Sequence, residues 1–534
     1  MTTLTLPPAM PLHGTVDRDV ATWVGLVEAS DLGGAPQRIV LESGDQFDRA
    51  RLLVRDRGSV RGYIAVPVVD GEADAAAVVN AVDRLPATPP AARTAPWPIT
   101  VVVCTRDRGA LLRESLGAIR AIDYPLMEIV VVDNAPSDDA TRDLLAEEFP
   151  EFGYVREERA GLSHARNAGL KAASSTIVAY TDDDVIVDPQ WLWAITAGFA
   201  QADDVGCVTG IVPSGELRNA VQAWFDARVS WSKLTASRTF RLSDPPDDLP
   251  MFPFCVGEFG TGANFAVRRD HMLALGGFDT ALGAGTRTKG GEDLDMFLRM
   301  LYDGQAIVVN PSAVVWHRHR DDLAALEAQA VGYGRGFGAW AVTVAMDPRT
   351  VGAAIARSPR ALARLVNKPM ASVDETTVTA TLSRESKGIG RIELASVIGG
   401  PAAYFAERRA QRDAGTFAGP PSRDIVLDRR LWSVLAALGG LFGLLALLPT
   451  AAGVSFAFLA IFILIGPGSL VRAWVPLPPH FAPIVIPALG LSAVILLTTA
   501  TVNLQWWAPA VWLLAAAAAT CAAALATFVT RRGA

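Results

Sequence analysis

The sequence predicts an α/β fold, with a small N-terminal β-rich or α+β module and a C-terminal transmembrane region of four helices. Three observations carry this prediction. From residue 99 onward, apolar runs of strand length alternate with segments of helical spacing. Residues 1–90 hold short alternating runs that are typical of strands. Four long apolar stretches follow residue 430, and each approaches the length of a membrane span.

Length and composition limit the classes of function. The chain has 534 residues, which exceeds the roughly 100 to 200 residues of one domain, so we expect several domains. The formal net charge is −7 and no basic stripe interleaved with aromatic residues occurs, so nucleic acid is not an expected partner. The four cysteines lie far apart without a CxxC pair, which favours a reducing, cytoplasmic compartment and offers no zinc site.

We expect the N-terminal module to span residues 1–90. The runs QRIVLES and RGYIAVPVVDG indicate strands, and DAAAVVNAVDRL indicates a helix. The Pro- and Ala-rich stretch that follows predicts a linker, which we place at residues 91–98. No candidate site is visible in the module, so it either recruits a partner or packs on the next domain.

Residues 99–345 are predicted to form one domain of alternating strands and helices. ITVVVCT, MEIVVVD and TIVAYTDDD read as strands, with GALLRESLGAIRAI and LSHARNAGLKAAS among the helices between them. Such alternation predicts parallel strands in a sheet that helices cover on both faces. No GxGxxG or GxxxxGK[ST] loop follows the first strand, so we do not expect a glycine-rich phosphate loop.

Three adjacent carboxylates, Asp182, Asp183 and Asp184, follow the strand TIVAY. One Asp after a strand commonly caps the next turn, but a cap needs only one Asp. In open α/β sheets, ligands bind beyond the carboxyl ends of the strands. Carboxylates in that position suit Mg²⁺ or Mn²⁺, which would relieve their repulsion and hold a substrate diphosphate. Asp133 ends a neighbouring strand at the same edge, where a structural cap is an equally good explanation.

Small residues in GTGANFAVRRD predict a turn that leads into a strand. They would allow a ligand to approach the backbone closely, and we assign Gly262 and Asn264 to the acceptor side of the site. A plain structural turn remains an equal alternative.

A glycine-rich segment, GAGTRTKGG, leads into a helix whose first turn holds Glu292, Asp293 and Asp295. Acids at a helix N-terminus are favourable by themselves, and Asp295 can pair with Arg299 one turn later. These structural reasons explain two of the three acids. An acid beside a loop that can close is also well placed to accept a proton from a hydroxyl.

Two of only six histidines, His317 and His319, close the apolar stretch AIVVNPSAVVWHRHR. Two residues at i, i+2 on a strand point to the same face, so they could supply a metal ligand and a phosphate contact. A solvated basic strand end is the alternative.

Four apolar stretches, near residues 431–449, 452–472, 482–502 and 507–529, approach the ~20 residues that a membrane-spanning helix needs. Trp506 and Trp507 would anchor the outer interface. Because the spans contain no Asp, Glu, Lys or His, they read as an anchor rather than an ion path, and a buried helical hairpin is the alternative. Basic residues fall at every second boundary and predict that both termini face the cytoplasm: Arg429, Arg430, Arg472, Arg531 and Arg532.

Residues 346–428 connect the α/β domain to the membrane region, which we place at 429–534. Apolar runs with arginine on the polar side, such as VGAAIARSPRALARLV and ELASVIGGPAAYFAERRAQR, predict helices. These helices would lie along the inner leaflet of the membrane or form a soluble cap.

Five segments between roughly residues 97 and 320 resemble the family 2 inverting glycosyltransferases of the GT-A fold. They occur in the order that this family shows, whereas residues 1–90 and the membrane region lie outside the resemblance. The segments are VVVCTRDRGALLRESLGAI, IVVVDNAPSDDAT, GLSHARNAGLKAASSTIVAYTDDDVIVDP, GTGANFAVRRD and GGEDLDMFLRM.

The resemblance implies roles for single residues around a nucleotide sugar. Thr105, Arg108 and Asp133 would surround the nucleoside, with Asp133 in contact with the nucleobase and Arg166 near the diphosphate. Asp182 and Asp184 would form the DxD pair that binds Mg²⁺ or Mn²⁺, and Asp184 would be the more direct ligand. Asp293 would be the general base in preference to Glu292, and His317 or His319 would reach the metal or the diphosphate.

The resemblance also implies the reaction, which is transfer of a hexosyl or deoxyhexosyl group from a nucleotide diphosphate sugar by one inverting displacement. One base suffices, because no carboxylate nucleophile is needed. Processive members carry QxxRW, whereas this chain reads GYGRGFGAW, with Trp340 but no Arg directly before it. We therefore expect the addition of one or a few sugars.

These predictions together describe a multi-pass enzyme of the inner cell membrane with a cytoplasmic catalytic domain. Its acceptor would be lipid-linked or a cell-envelope glycan. The alternatives are a polyprenyl-phosphate sugar synthase, a processive polysaccharide synthase, or a non-catalytic membrane-bound scaffold that binds sugar nucleotides.

Overall fold

The computed structural model describes most of the chain, in the ranges given at the end of this paragraph. The chain forms two compact units, of which the first comprises Met1–Val344 with Gly352–Pro420 and the second Ala345–Val351 with Pro421–Ala534. The domain boundaries given above stay predictions. The described residues are 3–34, 36–92, 94–347, 349–350, 353–354, 357, 380–420, 427–449, 451–474, 482–503 and 508–529.

The first unit begins with a six-stranded mixed sheet in the order β1-β3-β6-β5-β4-β2. Alternation of buried and exposed residues in Ser59–Val69 gives this strand one face toward the core. Asp74 caps the following helix by accepting a hydrogen bond from the backbone of Ala76 at 2.9 Å. The elements are β1 Thr3–Leu6, β2 Trp23–Glu28, α1 Ala29–Leu32, β3 Arg38–Leu41, β4 Arg49–Asp56, β5 Ser59–Val69, β6 Glu72–Ala73 and α2 Ala75–Asp83.

A nine-stranded sheet follows in the same unit, in the order β11-β15-β12-β14-β10-β7-β8-β9, with β13 paired to β15. The strands are β7 Ile99–Thr105, β8 Met127–Asn134, β9 Gly153–Glu157, β10 Ile177–Asp182, β11 Val185–Val187, β12 Val205–Ile211, β13 Arg238–Phe240, β14 Asn264–Arg268 and β15 Ala306–His317. The helices are α3 Gly109–Arg120, α4 Ala140–Glu148, α5 Leu162–Ala172, α6 Trp191–Phe199, α7 Ala220–Arg228, α8 Arg269–Ala274, α9 Glu292–Tyr302, α10 Leu323–Met346 and α11 Ala380–Asp413.

The large sheet is only partly the parallel sheet that the sequence predicts. Strands β10, β7, β8 and β9 are parallel, but β14 runs antiparallel to both β10 and β12. Buried apolar clusters cover both faces, which explains why β10 begins with the four consecutive buried residues IVAY rather than alternating. The register sets Asp182 beside Cys104 and Thr105 beside Asp133, so three strand ends meet at one edge.

Helices α10 and α11 pack closely through glycines. A Cβ on Gly334 would lie 2.1 Å from the Glu393 carbonyl oxygen, and one on Gly338 would lie 2.1 Å from that of Val397. The opposite face of α10 contacts the loop before α9, because a Cβ on Gly336 would lie 2.7 Å from the Gly290 carbonyl carbon. The glycines of GYGRGFGAW thus fit α10 between α11 and the loop that leads to Asp293.

Helix α11 takes up part of the predicted connector. Its Tyr404 hydroxyl donates to Asp279 at 2.8 Å, and Gln411 bonds to Thr280, so Ala380–Asp413 packs in the first unit as a helical cap. The stretch VGAAIARSPRALARLV falls almost entirely outside the described residues.

The N-terminal sheet packs directly on the large sheet. Both Arg51 guanidinium ends donate to Asp226, at 2.6 and 2.9 Å, and Tyr63 donates to the Ser232 carbonyl at 2.8 Å. An apolar cluster lies between the sheets and includes Trp316, the residue before His317. Of the two roles considered for this module, its contacts support packing on the next domain.

Loss of the Arg51–Asp226 contact is expected to destabilise the first unit. Asp226→Ala leaves a largely buried guanidinium without its carboxylate, which should cost about 2 to 3 kcal/mol after allowance for partial exposure. A thermal melt of the purified chain should show a midpoint several degrees lower. Glu72→Ala, which breaks the exposed pair with Arg38, is the matched control and should leave the midpoint nearly unchanged. Equal midpoints for the two variants would contradict the prediction.

The second unit contains four helices among its described residues: α12 Leu427–Leu445, α13 Ala452–Trp474, α14 Ala482–Asn503 and α15 Pro509–Val529. Two stretches, Ala452–Trp474 and Pro509–Thr527, are long and apolar enough to cross a membrane. The apolar parts described in the other two, Arg430–Leu445 and Ile486–Leu497, are shorter, so the structure gives two candidate spans where the sequence predicted four.

Part of the predicted membrane topology cannot be compared with the structure. Trp506, Trp507, Arg531 and Arg532 lie outside the described residues. Arg472 lies in the last turn of α13, where its guanidinium is 5.6 Å from the centre of the Trp432 ring. The orientation of the helices in a membrane stays a prediction.

Candidate active site

A cleft of about 980 Å³ opens at the carboxyl ends of β7 and β10. The acids after β10, the acids that begin α9 and the histidines after β15 all line it. The structure therefore brings together three segments of which the first lies more than a hundred residues before the other two in the sequence. A cleft at this edge is where open α/β sheets bind ligands.

The three adjacent aspartates have different surroundings. Asp183 is buried and accepts hydrogen bonds from Thr105 Oγ1 at 2.7 Å and Arg108 Nη1 at 2.9 Å. Asp184 lies 3.2 Å from Arg108 Nη1 and 3.3 Å from His317 Nε2. Asp182 is half-buried and faces the cleft. The middle aspartate thus ties β10 to the segment after β7, which leaves the outer two for a ligand.

Asp182, Asp184 and His317 could hold a metal ion together. One ligand atom from each lies within 4.8 Å of the others. Two carboxylates and one imidazole suit Mn²⁺. The carboxylate oxygens also suit Mg²⁺. His317 Nδ1 is buried and has no hydrogen-bond partner in the described part of the chain.

Burial and charge disfavour the charged forms of these groups. Burial, followed by the carboxylates of Asp184 and Asp183, raises the pKa of Asp182 to about 7 against the opposing effect of Arg166. Burial also raises the pKa of Asp183 and lowers that of His317. A divalent cation would compensate the clustered negative charge, so the donor set fits a metal.

Asp293 lies half-buried at the start of α9. Its Oδ2 accepts a hydrogen bond from the Gly262 backbone at 2.9 Å, and its Oδ1 accepts one from the Leu294 backbone at 2.8 Å. Gly291 precedes the helix with a φ of 92°, which a residue with a side chain adopts rarely. The carboxylate is thus fixed in the cleft wall and keeps lone pairs free for a donor hydroxyl.

Glu292 and Arg166 form a buried pair behind Asp293. Arg166 Nη1 donates to Glu292 at 2.9 Å, and its Nη2 donates to the Gly262 carbonyl at 2.9 Å and lies 3.9 Å from Asp182. Burial, and then Asp293, raises the pKa of Glu292. Arg166 is only 3% exposed, so in this structure it links the two acidic groups and has little surface to offer a diphosphate.

Two predicted site residues do not reach the cleft. Asn264 is fully buried, donates to the carbonyls of Ile211 and Ala313, and accepts from the Trp191 indole at 2.8 Å. Its position therefore lends no support to the assignment to the acceptor side, because its amide is fully used between strands.

Asp133 is also fully buried and accepts a hydrogen bond from Tyr154 at 3.0 Å, whereas its neighbour Asn134 lines the cleft. The position of Asp133 therefore gives no support to a contact with the nucleobase.

The remaining predicted residues lie on the cleft wall: Thr105, Arg108, Gly262 and His319. His319 stacks on His317 with ring centres 4.9 Å apart but does not belong to the possible metal group, so His317 is the better candidate ligand. Gly262 lies where a Cβ would be 2.8 Å from Arg166 Nη2, which explains the need for glycine there.

Sequence reasoning missed several residues of the wall. Trp231, Lys289, Tyr333 and Phe337 line the cleft, although no role was expected for any of them. Their contribution depends on the packing of α7, α10 and α11 around the opening. The repeated glycines of α10 were the one available signal of close packing.

Part of the chain matches a known protein family and several of its named members. The family model "Glycosyl transferase family 2" matches residues 100–270. The succinoglycan biosynthesis protein ExoM of Rhizobium meliloti (strain 1021) is 30% identical over 237 residues, which cover 43% of this chain and 69% of that protein. The glucosyl-dolichyl phosphate glucuronosyltransferase of Haloferax volcanii is 24% identical over 231 residues, covering 41% of this chain and 69% of that protein.

A third relative, the pre-mycofactocin glycosyltransferase of Mycobacterium tuberculosis (strain H37Rv), is 26% identical over 237 residues, covering 44% of this chain and 46% of that protein. Among solved structures, the mannosyltransferase PcManGT from Pyrobaculum calidifontis, in complex with GDP-Man and Mn²⁺, matches with a TM-score of 0.34 and 17% identity. That match covers 82% of this chain and 89% of the other.

Proposed function

This chain belongs to glycosyl transferase family 2, and we propose that it moves a sugar from a nucleotide diphosphate sugar to a lipid-linked or cell-envelope glycan acceptor by a metal-assisted inverting displacement. One observation carries the proposal. A group that can hold a divalent cation and a fixed carboxylate at a helix N-terminus line the same cleft.

Asp293 is the proposed general base. It would take the proton of the acceptor hydroxyl as that oxygen bonds to the anomeric carbon and the bond from this carbon to the diphosphate breaks. The backbone hydrogen bonds from Gly262 and Leu294 hold the carboxylate in one orientation while leaving it accessible. Because one displacement suffices, the sugar would be inverted and no carboxylate nucleophile would be needed.

Asp182, Asp184 and His317 would hold Mg²⁺ or Mn²⁺ beside the diphosphate. A cation in this position neutralises charge on the departing diphosphate. Arg166 would act by fixing Glu292 and Asp182 relative to each other, since its guanidinium contacts both sides of the site.

The cellular setting is part of the proposal. The two candidate spans of the second unit support a membrane anchor, which would keep the enzyme close to lipid-linked acceptors. An inner-membrane location with a cytoplasmic catalytic domain follows from the charge pattern of the sequence. A polyprenyl-phosphate sugar synthase, a processive synthase and a non-catalytic scaffold remain the competing functions.

A panel of nucleotide sugars tests the proposal. The full-length chain is incubated with each donor, with Mg²⁺ or Mn²⁺ and with membrane extract, and release of nucleoside diphosphate is measured. One donor should be consumed in a cation-dependent reaction that EDTA stops. Donor binding without turnover under any of these conditions would favour the scaffold, and the length of the product separates a processive enzyme from a single-addition enzyme.

The contact between α10 and the loop before α9 is expected to matter for catalysis. Gly336→Ala places a Cβ 2.7 Å from the Gly290 carbonyl carbon, so the backbone that positions Asp293 must shift. A shift of this kind should lower kcat about 10- to 100-fold. Gly117→Ala in α3 is the control, since a Cβ there meets no atom within 4 Å. Equal kcat in both variants would show that catalysis does not depend on the contact between α10 and the loop before α9.

A further inference from the structure

A side pocket of about 150 Å³ lies beside the cleft, between α7, α10 and α11. Phe225, Trp231, Tyr333 and Glu393 line both cavities, so the two are adjacent. The side pocket contains no predicted site residue, and the mechanism above does not use it. It therefore needs a separate explanation.

The free surface of the side pocket is apolar. An apolar cluster formed by α7, α10 and α11 supplies its walls: Trp224, Phe225, Val229, Leu326, Ala330 and Ile389. Four of the polar side chains at its edge already have partners, because Arg228 pairs with Glu393 and Gln329 donates to the Tyr333 hydroxyl at 3.0 Å. A sugar ring would bury hydroxyl groups against walls that offer few partners, which is costly. A hydrocarbon group meets no such penalty.

Apolar side chains are also exposed on the helices beside the pocket. Tyr333 and Phe337, one turn apart on α10, are 43% and 46% exposed and line the cleft. Leu394 and Ile398, one turn apart on α11, are 63% and 82% exposed. Such exposure of large apolar groups next to a cavity is typical of a surface that contacts an apolar ligand or lipid.

Cationic side chains line the cleft beside the pocket. Lys289 and Arg320 line it, and within the described part of the chain no carboxylate forms an ion pair with either of them. The Lys289 backbone oxygen and Cβ are within 3.7 Å of the Cβ position of Gly332, the residue before Tyr333. The Lys289 backbone therefore lies beside α10, and a cleft that carries cations and aromatic residues suits a ligand with an anionic head and an apolar chain.

We propose that the acceptor is linked to a prenyl phosphate and that the side pocket binds the first isoprene unit after the phosphate. An apolar cavity of about 150 Å³ can hold benzene, so a five-carbon isoprene unit fits in size. The phosphate lies in the cleft with Lys289 and Arg320, and the rest of the chain passes the exposed residues of α10 and α11. This inference rests on the proposed function, since it specifies the acceptor of the same site.

Binding of geranyl phosphate to the full-length chain, measured by calorimetry, tests the inference. Geranyl phosphate should bind at least tenfold more tightly than inorganic phosphate or geraniol, because it uses both the pocket and the cations. Ala330→Leu, which fills the pocket from α10, should weaken this binding about tenfold, since each buried CH₂ contributes about fourfold in affinity. Ala328→Leu, at an exposed position of the same helix, is the control and should change it less than twofold.

The outcomes separate this inference from the proposed function. Unchanged geranyl phosphate affinity in Ala330→Leu, or binding no tighter than that of inorganic phosphate, overturns the inference while cation-dependent turnover of a nucleotide sugar still supports the enzyme. Loss of binding to a soluble glycan acceptor in Ala330→Leu, with geranyl phosphate unaffected, overturns it as well. If Ala330→Leu melts early, Ile389→Phe fills the pocket from α11 and gives the same test.

Discussion

Asp293→Asn is expected to abolish sugar transfer while the chain still folds and binds its donor. The amide keeps the shape of the carboxylate but cannot accept the proton of the acceptor hydroxyl. A general base accelerates a reaction by about 10²- to 10⁴-fold, so kcat for transfer should fall by about that factor or become undetectable. Asp293 lies half-buried at the end of a helix and makes no ion pair within 4 Å among the described residues, so the thermal midpoint should change little.

The measurement is transfer of a labelled sugar, with donor affinity determined in parallel. Asp303→Asn is the matched control, because Asp303 follows the other end of α9 and pairs with His271 outside the cleft. Full transfer activity in Asp293→Asn would exclude this residue as the base. Loss of transfer together with loss of donor binding would indicate a structural role instead.

Asp184→Asn is expected to remove the cation site. Asp184 is the acid that lies next to His317, and its replacement takes one negative charge from the group that would hold the metal. Loss of a residue that hydrogen-bonds to a metal ligand typically weakens metal binding about 10- to 100-fold. Loss of a direct ligand should therefore weaken Mn²⁺ binding by about 100-fold or more. Donor turnover at ordinary Mn²⁺ concentrations should disappear.

Titration of Mn²⁺ into the purified chain measures this effect without an acceptor. Asp203→Asn, which changes an exposed aspartate in the turn before β12, keeps the same change in net charge and serves as the control. Raising the Mn²⁺ concentration should restore part of the turnover of Asp184→Asn. Wild-type Mn²⁺ affinity in this variant would mean that the cation is held elsewhere.

The chain order of strands and helices was readable because each element has its own periodic signal. The apolar run of β10 and the amphipathic spacing of α3 predict their elements without reference to any other part of the chain. The strand β14 was readable, but its antiparallel direction was not, since its pairing with β10 and β12 is set by long-range contacts rather than by local pattern.

The candidate site divides in the same way. The acids at Asp182–Asp184, Glu292 and Asp293 were visible because unusual charges stand at the ends of regular elements. The burial of Asn264 could not be predicted, because its amide is hydrogen-bonded to residues that are distant in the sequence. The pairing of Arg166 with Glu292 likewise depends on residues 126 positions apart in the chain.

The sequence by itself determined which chemical groups the protein carries at its strand and helix ends, since local spacing places carboxylates and histidines there. Only the tertiary structure decided which of these groups share a cleft, which are consumed by buried hydrogen bonds, and where the apolar side pocket opens. The physical reason is that burial and hydrogen-bond satisfaction depend on neighbours brought together by folding, whereas periodicity and capping depend on neighbours along the chain.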